Sequence, residues 1–149
     1  MSSIDNDMSY RLSPVSNCER MIVEYVQKLE RRILEKRQII EIKQEKLLAY
    51  NRYGTVSKGL KWLLLSKVEK LEHEVFIVQF EAGSSSNLHR HKGYEEFYVL
   101  DGELIDDDGK VFKKGDYIKF ETGSEHSSYS KTGCTILVIL YGGTNELVE

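Results

Sequence analysis

GSSSNLHRHKGYEEFYVLDG, residues 83–102, sets two histidines and a glutamate between a glycine-led polar turn and an apolar alternation. Alternate side chains of an extended chain share a face, so His89 and His91 point the same way. Glu95 shares its face with Phe97 and Val99, which look into a core. Polar groups facing a core are costly unless they are bound to something. His126 follows on a later segment and His73 stands apart. Together His89, His91, Glu95 and His126 make a candidate metal site of imidazoles and one carboxylate. Such a set accepts zinc, iron, manganese, nickel or copper, because these ligand types select weakly. Taken alone, the spacing also fits exposed histidines on a hairpin.

Outward from this stretch the pattern stays β. Short apolar or alternating runs recur at 62–65, 75–80, 95–100, 116–120, 126–130 and 135–141. Clusters such as Asp106-Asp107-Asp108-Gly109 and Lys113-Lys114-Gly115 separate them. Evenly spaced strands of this length predict an all-β sandwich or barrel. Towards the N-terminus the pattern changes. Ser16 and Glu19 fit a capping box, and Ile22, Val26, Leu29, Ile33, Ile40 and Leu47 follow a four-three spacing. That predicts one amphipathic helix from about 17 to 50, with Lys36 and Lys43 interrupting its seam. The chain thus divides into a flexible tail (1–16), a helical extension (17–55) and a β domain (56–149).

Composition narrows the function. The chain has 149 residues, a formal charge of −3 and 30% charged side chains, enough for one domain with an extension. A pI near 5.9 argues against nucleic acid as a partner. No apolar run approaches the roughly 20 residues that span a bilayer, and no secretory signal is visible; the expectation is a soluble, cytoplasmic protein. Cys18 and Cys134 form no CxxC pair, and neither a disulfide framework nor a zinc ribbon follows.

Gly83-x5-His89-x-His91-x3-Glu95-x6-Gly102 resembles the first cupin motif at every fixed position. Gly115-x5-Glu121-x-Gly123-x2-His126-x3-Ser130 is similar to the second, with Glu121 where proline is usual and Ser130 where asparagine is usual. More narrowly, HRHKGYEEFYVLDGELIDDDG and FKKGDYIKFETGSEHSSYSKTGCTILVI resemble the cupin domain of ChrR-type anti-sigma factors. The resemblance implies a small double-stranded β-helix, the RmlC-like cupin jelly roll, preceded here by one long α-helix. It implies one divalent metal ion on His89, His91, Glu95 and His126: zinc or iron first, manganese or nickel next. The zinc-binding His-x3-Cys-x2-Cys helical module that grips a sigma factor has no counterpart in this sequence. The resemblance therefore implies a ChrR-like metal-binding cupin that binds or senses a small molecule in its barrel, with no activity assigned. The alternative is a non-haem metal-dependent dioxygenase acting on a small oxygenated, diketone-like substrate. A homodimer and a protein partner for the helix are further expectations.

No catalytic acid or base stands out. Glu96 and Tyr98 should face away from Glu95, whereas Ser128 and Ser130 share parity with His126 and should point inward. Phe76, Val78 and Phe80 read as core, Cys134 as a small buried hydrophobe, and the Asp106–Gly109 cluster as a polar turn rather than a calcium loop.

Overall fold

A computed structural model describes residues 17–34 and 36–148, with the side chains of 20–31 and 36–148. The expected flexible tail and the Ser16–Glu19 capping box fall outside what it describes, as does the Cys18 side chain. The chain divides into two compact units, 1–40 and 41–149.

Among the described residues the first unit contributes one helix, α1 (Asn17–Leu34). Of its stripe, Ile22, Val26 and Leu29 are exposed. The sequence reading carried this helix to about residue 50, which is a misassignment. After Leu34 the chain leaves the helix, makes a 3-10 turn (Ile42–Gln44) and enters a strand, β1 (Leu48–Ala49). Ile40 and Leu47 match the helical period only by spacing. Cross-strand pairing of Leu48 with Trp62, and burial of Tyr50 in the core, override that weak local preference.

The second unit is a curled antiparallel jelly roll. Its remaining strands are β2 (Leu60–Val68), β3 (His73–Phe80), β4 (Ser84–Ser85), β5 (His89–Arg90), β6 (Tyr94–Asp106), β7 (Val111–Lys113) and β8 (Tyr117–Phe120). β9 (Glu125–His126), β10 (Ser128–Ser130), β11 (Cys134–Tyr141) and β12 (Glu146–Leu147) complete it. One continuous path runs β1-β2-β3-β11-β6-β10-β4, with β7 and β8 also on β6, and a small sheet runs β12-β5-β9.

β6 belongs to both halves of the roll. Its start pairs with β11 and β8, and its end pairs with β7 and β10. Two features turn the corner between them. Thr135 pairs with Asp101 but Ile136 with Val99, so Leu100 is the extra residue of a bulge. Gly102 follows at φ +77°, and a Cβ there would lie 2.2 Å from the Gly133 carbonyl oxygen. No other residue fits. The bulge also reverses parity: Glu95, Phe97 and Val99 point inward before it, and Leu104 and Asp106 after it. The core between the sheets is apolar and aromatic, with Phe97 edge-on to Phe112 and stacked near Phe120. Burying each such side chain contributes about 1.5–3 kcal/mol.

Candidate metal centre

The centre is assembled by register. β5 pairs with β9 so that His89 lies directly opposite His126. His91 comes one residue beyond β5, on the same face as His89, and Glu95 is carried on β6 opposite Phe120. His89, His91, Glu95 and His126 are all buried, and one donor atom from each lies within 4.8 Å of every other. Metal bonds of about 2.1 Å place opposite ligands roughly 4 Å apart, so the cluster is close to the size of a single coordination shell.

The outer nitrogens are already in use. His89 Nδ1 donates to the Asn87 carbonyl at 2.8 Å. Ser124 Oγ donates to the Glu121 carbonyl, so at 2.9 Å it accepts from His91 Nδ1. His126 Nδ1 donates to Asp106 Oδ1 at 2.8 Å. These partners fix all three rings in the tautomer that turns Nε2 inward. His91 Nε2 and His126 Nε2 are buried without a hydrogen-bond partner. Orphaned buried nitrogens are costly, and a cation among them would remove that cost. Asn145 Nδ2 fixes the fourth group, donating to Glu95 Oε2 at 2.6 Å.

Burial pushes His91 down to about 4 and lowers His89 as well, so both rings are neutral near pH 7. Burial pushes His126 in the same direction, but the hydrogen bond to Asp106 and the negative charge of Glu95, 3.8 Å from Nε2, outweigh it and hold His126 at about 9. Burial would raise Glu95; the surrounding imidazoles outweigh it and bring it below its ordinary value. Two ready imidazoles, one imidazole polarised by a carboxylate, and one carboxylate are positioned to bind one metal ion.

Asp106, Ser124 and Asn145 were not anticipated. The bulge at Leu100 turns Asp106 inward, where parity counted straight from Glu95 sends it out. The Asp106–Gly109 turn does form, with Gly109 N–H on the Asp106 carbonyl at 2.8 Å, but the first aspartate belongs to the centre. Among the other sequence candidates, Ser128 and Ser130 are buried. Ser128 Oγ donates to Asp106 Oδ1 at 2.9 Å, and Ser130 Oγ to the Glu103 carbonyl at 2.8 Å. Glu96 faces away from the centre, beside Tyr117. His73 packs on Tyr141. Cys134 is buried, and burial pushes its thiol up to about 11. Neither departure from the cupin motifs disturbs the centre: Glu121 supplies only its carbonyl, and Ser130 braces the turn before β11 by accepting from Gly133 N.

His89, Glu95 and His126 open onto a narrow cavity inside the barrel, with room for a few water molecules. Its walls include Phe76, Val78, Phe97, Leu104 and Val138. Tyr50, Ser86 and Ser128 are its polar members besides the three metal-facing groups.

Several solved structures share this architecture. An acetylacetone dioxygenase from Acinetobacter johnsonii superposes with a TM-score of 0.67 at 17% identity, over 76% of this chain and 78% of that one. A polyketide cyclase from Streptomyces resistomycificus gives 0.65 at 18% identity, over 76% and 86%. An RmlC-like cupin from Shewanella frigidimarina gives 0.59 at 21% identity, over 72% and 93%. At such identities the likeness concerns the fold. A search of curated protein sequences finds no match. The model of the ChrR Cupin-like domain matches residues 44–142, from just before β1 to just past β11. With that match over a jelly roll built around the His89, His91, Glu95 and His126 cluster, the chain belongs to the ChrR-like cupin family.

Proposed function

We propose that this cupin binds one divalent metal ion, zinc or iron, through His89, His91, His126 and Glu95, and uses it to bind or sense a small ligand in the barrel. The observation that carries the reading is the convergence of three inward imidazoles whose outer nitrogens are all tied down, two of them with orphaned Nε2 atoms. A bound metal would act as a Lewis acid on a ligand oxygen. The chain's residues do the rest. Asp106, Ser124 and the Asn87 carbonyl orient the rings, Asn145 holds Glu95, and Phe120, 4.0 Å from the His126 ring, shields that imidazole from water. Among the described residues, no carboxylate, imidazole or lysine beyond the metal-facing groups lines the cavity, which favours binding or sensing over acid–base catalysis.

The second reading is a non-haem dioxygenase for a small oxygenated, diketone-like substrate. It draws on the same apolar cavity and on the fold likeness to an acetylacetone dioxygenase. Metal analysis of protein purified without oxygen or chelator, before and after exposure to air, separates the two. Zinc that survives air supports sensing, iron that is lost or oxidised in air supports the dioxygenase, and absence of metal refutes both.

We extend the proposal to a homodimer, supported by Tyr98, Leu100 and Tyr117 lying exposed on the outer face of the long sheet, and to a protein partner for α1, supported by its exposed stripe. Sedimentation equilibrium tests the first, and a sequencing-identified binding partner lost on Ile22→Asp and Val26→Asp tests the second. No helix of the described residues is long and apolar enough to cross a membrane.

A further inference from the structure

The cavity restricts the ligand more sharply than the metal does. Among the described residues, no lysine or arginine lines it. Arg52, whose guanidinium lies 4.4 Å from the ring centroid of the cavity residue Phe76, is committed to an ion pair with Glu74. A divalent ion held by Glu95 leaves one formal positive charge to be met inside a low-dielectric barrel, and Asp106 stands behind His126 as a second carboxylate. A ligand with two negative charges would bury at least one of them unpaired, which a low-dielectric interior strongly opposes.

A line of polar side chains runs from the cavity wall to the centre. Tyr50, 9% exposed, lines the cavity. Its ring lies edge-on to Tyr53 at 6.1 Å, and the Tyr53 ring lies 6.1 Å from that of His89. The Tyr53 hydroxyl lies beside the Tyr50 hydroxyl and the Asn145 amide, and Asn145 holds Glu95. Of this line, Tyr50 alone reaches the cavity wall. Burial raises both phenols, which keeps them protonated donors near neutral pH.

Building on the metal-binding reading, we infer that the ligand is a compact oxygen-bearing molecule with a short apolar body and at most one negative charge, such as a monocarboxylate or an enolate, and that Tyr50 donates a hydrogen bond to its oxygen. The apolar walls take the body, the metal side takes one oxygen, and the phenol fixes orientation. Phosphorylated compounds and dicarboxylates fit this cavity poorly, since no basic side chain among the described residues lines it to pair a second charge.

The test uses the whole 149-residue chain loaded with Co(II), whose visible bands report on ligands entering the metal's coordination. Isobutyrate, acetylacetone, succinate and inorganic phosphate are titrated separately. The first two should shift the bands, with succinate and phosphate at least about tenfold weaker. Tyr50→Phe should keep Co(II) affinity and lose about tenfold in affinity for isobutyrate and acetylacetone. Failure of the wild type to bind Co(II) would overturn the metal-binding reading itself. Co(II) binding with no band shift, succinate or phosphate binding as tightly as isobutyrate, or a Tyr50→Phe protein matching the wild type would each overturn the ligand inference alone. Should Tyr50→Phe fail to fold, the wild-type ligand series still decides it.

Discussion

Replacing Asp106 by alanine should weaken metal binding in a way that depends on pH. The carboxylate accepts from His126 Nδ1 at 2.8 Å and from Ser128 Oγ at 2.9 Å, and all three residues are buried. Hydrogen bonds to a charged group are worth about 1.5–3 kcal/mol, and loss of a carboxylate behind a ligating histidine costs about 10–100-fold in metal affinity. The same carboxylate strengthens the proton's hold on His126, at about 9. Proton and metal compete for Nε2. Wild-type affinity for zinc should therefore climb with pH, by up to about tenfold per unit, until His126 is deprotonated near pH 9. In Asp106→Ala, His126 loses its strongest proton-stabilising contact, so its curve flattens at a lower pH. The gap between the two proteins is then widest near pH 9 and narrows towards neutrality. Asp106→Asn keeps an oxygen acceptor without the charge and should fall between them. Competition with a chromophoric chelator between about pH 6.5 and 9.5 measures this directly. Equal affinities throughout, or a gap that widens as pH falls, would refute the reasoning.

Three further outcomes follow from the same geometry. Asn145→Ala removes the amide on Glu95 Oε2 and should lower zinc affinity by about tenfold while shifting the urea midpoint little, since Asn145 lies beyond the core strands. Gly102→Ala forces a left-handed backbone on alanine, costing about 1–3 kcal/mol, and drives its Cβ into the Gly133 carbonyl, so thermal denaturation should show a large loss of stability or no folded protein. Glu74 is held below its ordinary value: burial raises it, but Arg52 and Lys67 outweigh that. A depressed folded-state value contributes stability above the ordinary carboxyl pKa, about 4.3, that is lost as pH falls through the lowered one. The wild type should exceed Glu74→Gln in urea midpoint at pH 7, and the difference should shrink in acid.

The jelly roll was legible because its strands alternate in short glycine-punctuated runs, and the His89–His91–Glu95 spacing foretold residues that share an inner face. What was illegible depended on tertiary structure. The period through Ile40 and Leu47 could not reveal that β2 offers residues 48–49 a pairing edge. Asp106 was hidden because one extra residue at Leu100 reverses parity, and sequence parity counts residues without knowing where a ladder bulges. The Leu100-Asp101-Gly102 triplet, a polar residue and a glycine interrupting an apolar alternation, was the available signal. Asn145 reaches the centre, and Tyr50 the wall of its cavity, from segments far apart in the chain, and no local pattern marks them.

X-ray absorption at the metal edge of the loaded protein tests the central claim most directly. One metal per chain is expected, with only nitrogen and oxygen neighbours at about 2.0–2.2 Å, and outer-shell scattering from three imidazoles that falls to two in His91→Ala. A sulfur neighbour, scattering unchanged by His91→Ala, or no bound metal would contradict it.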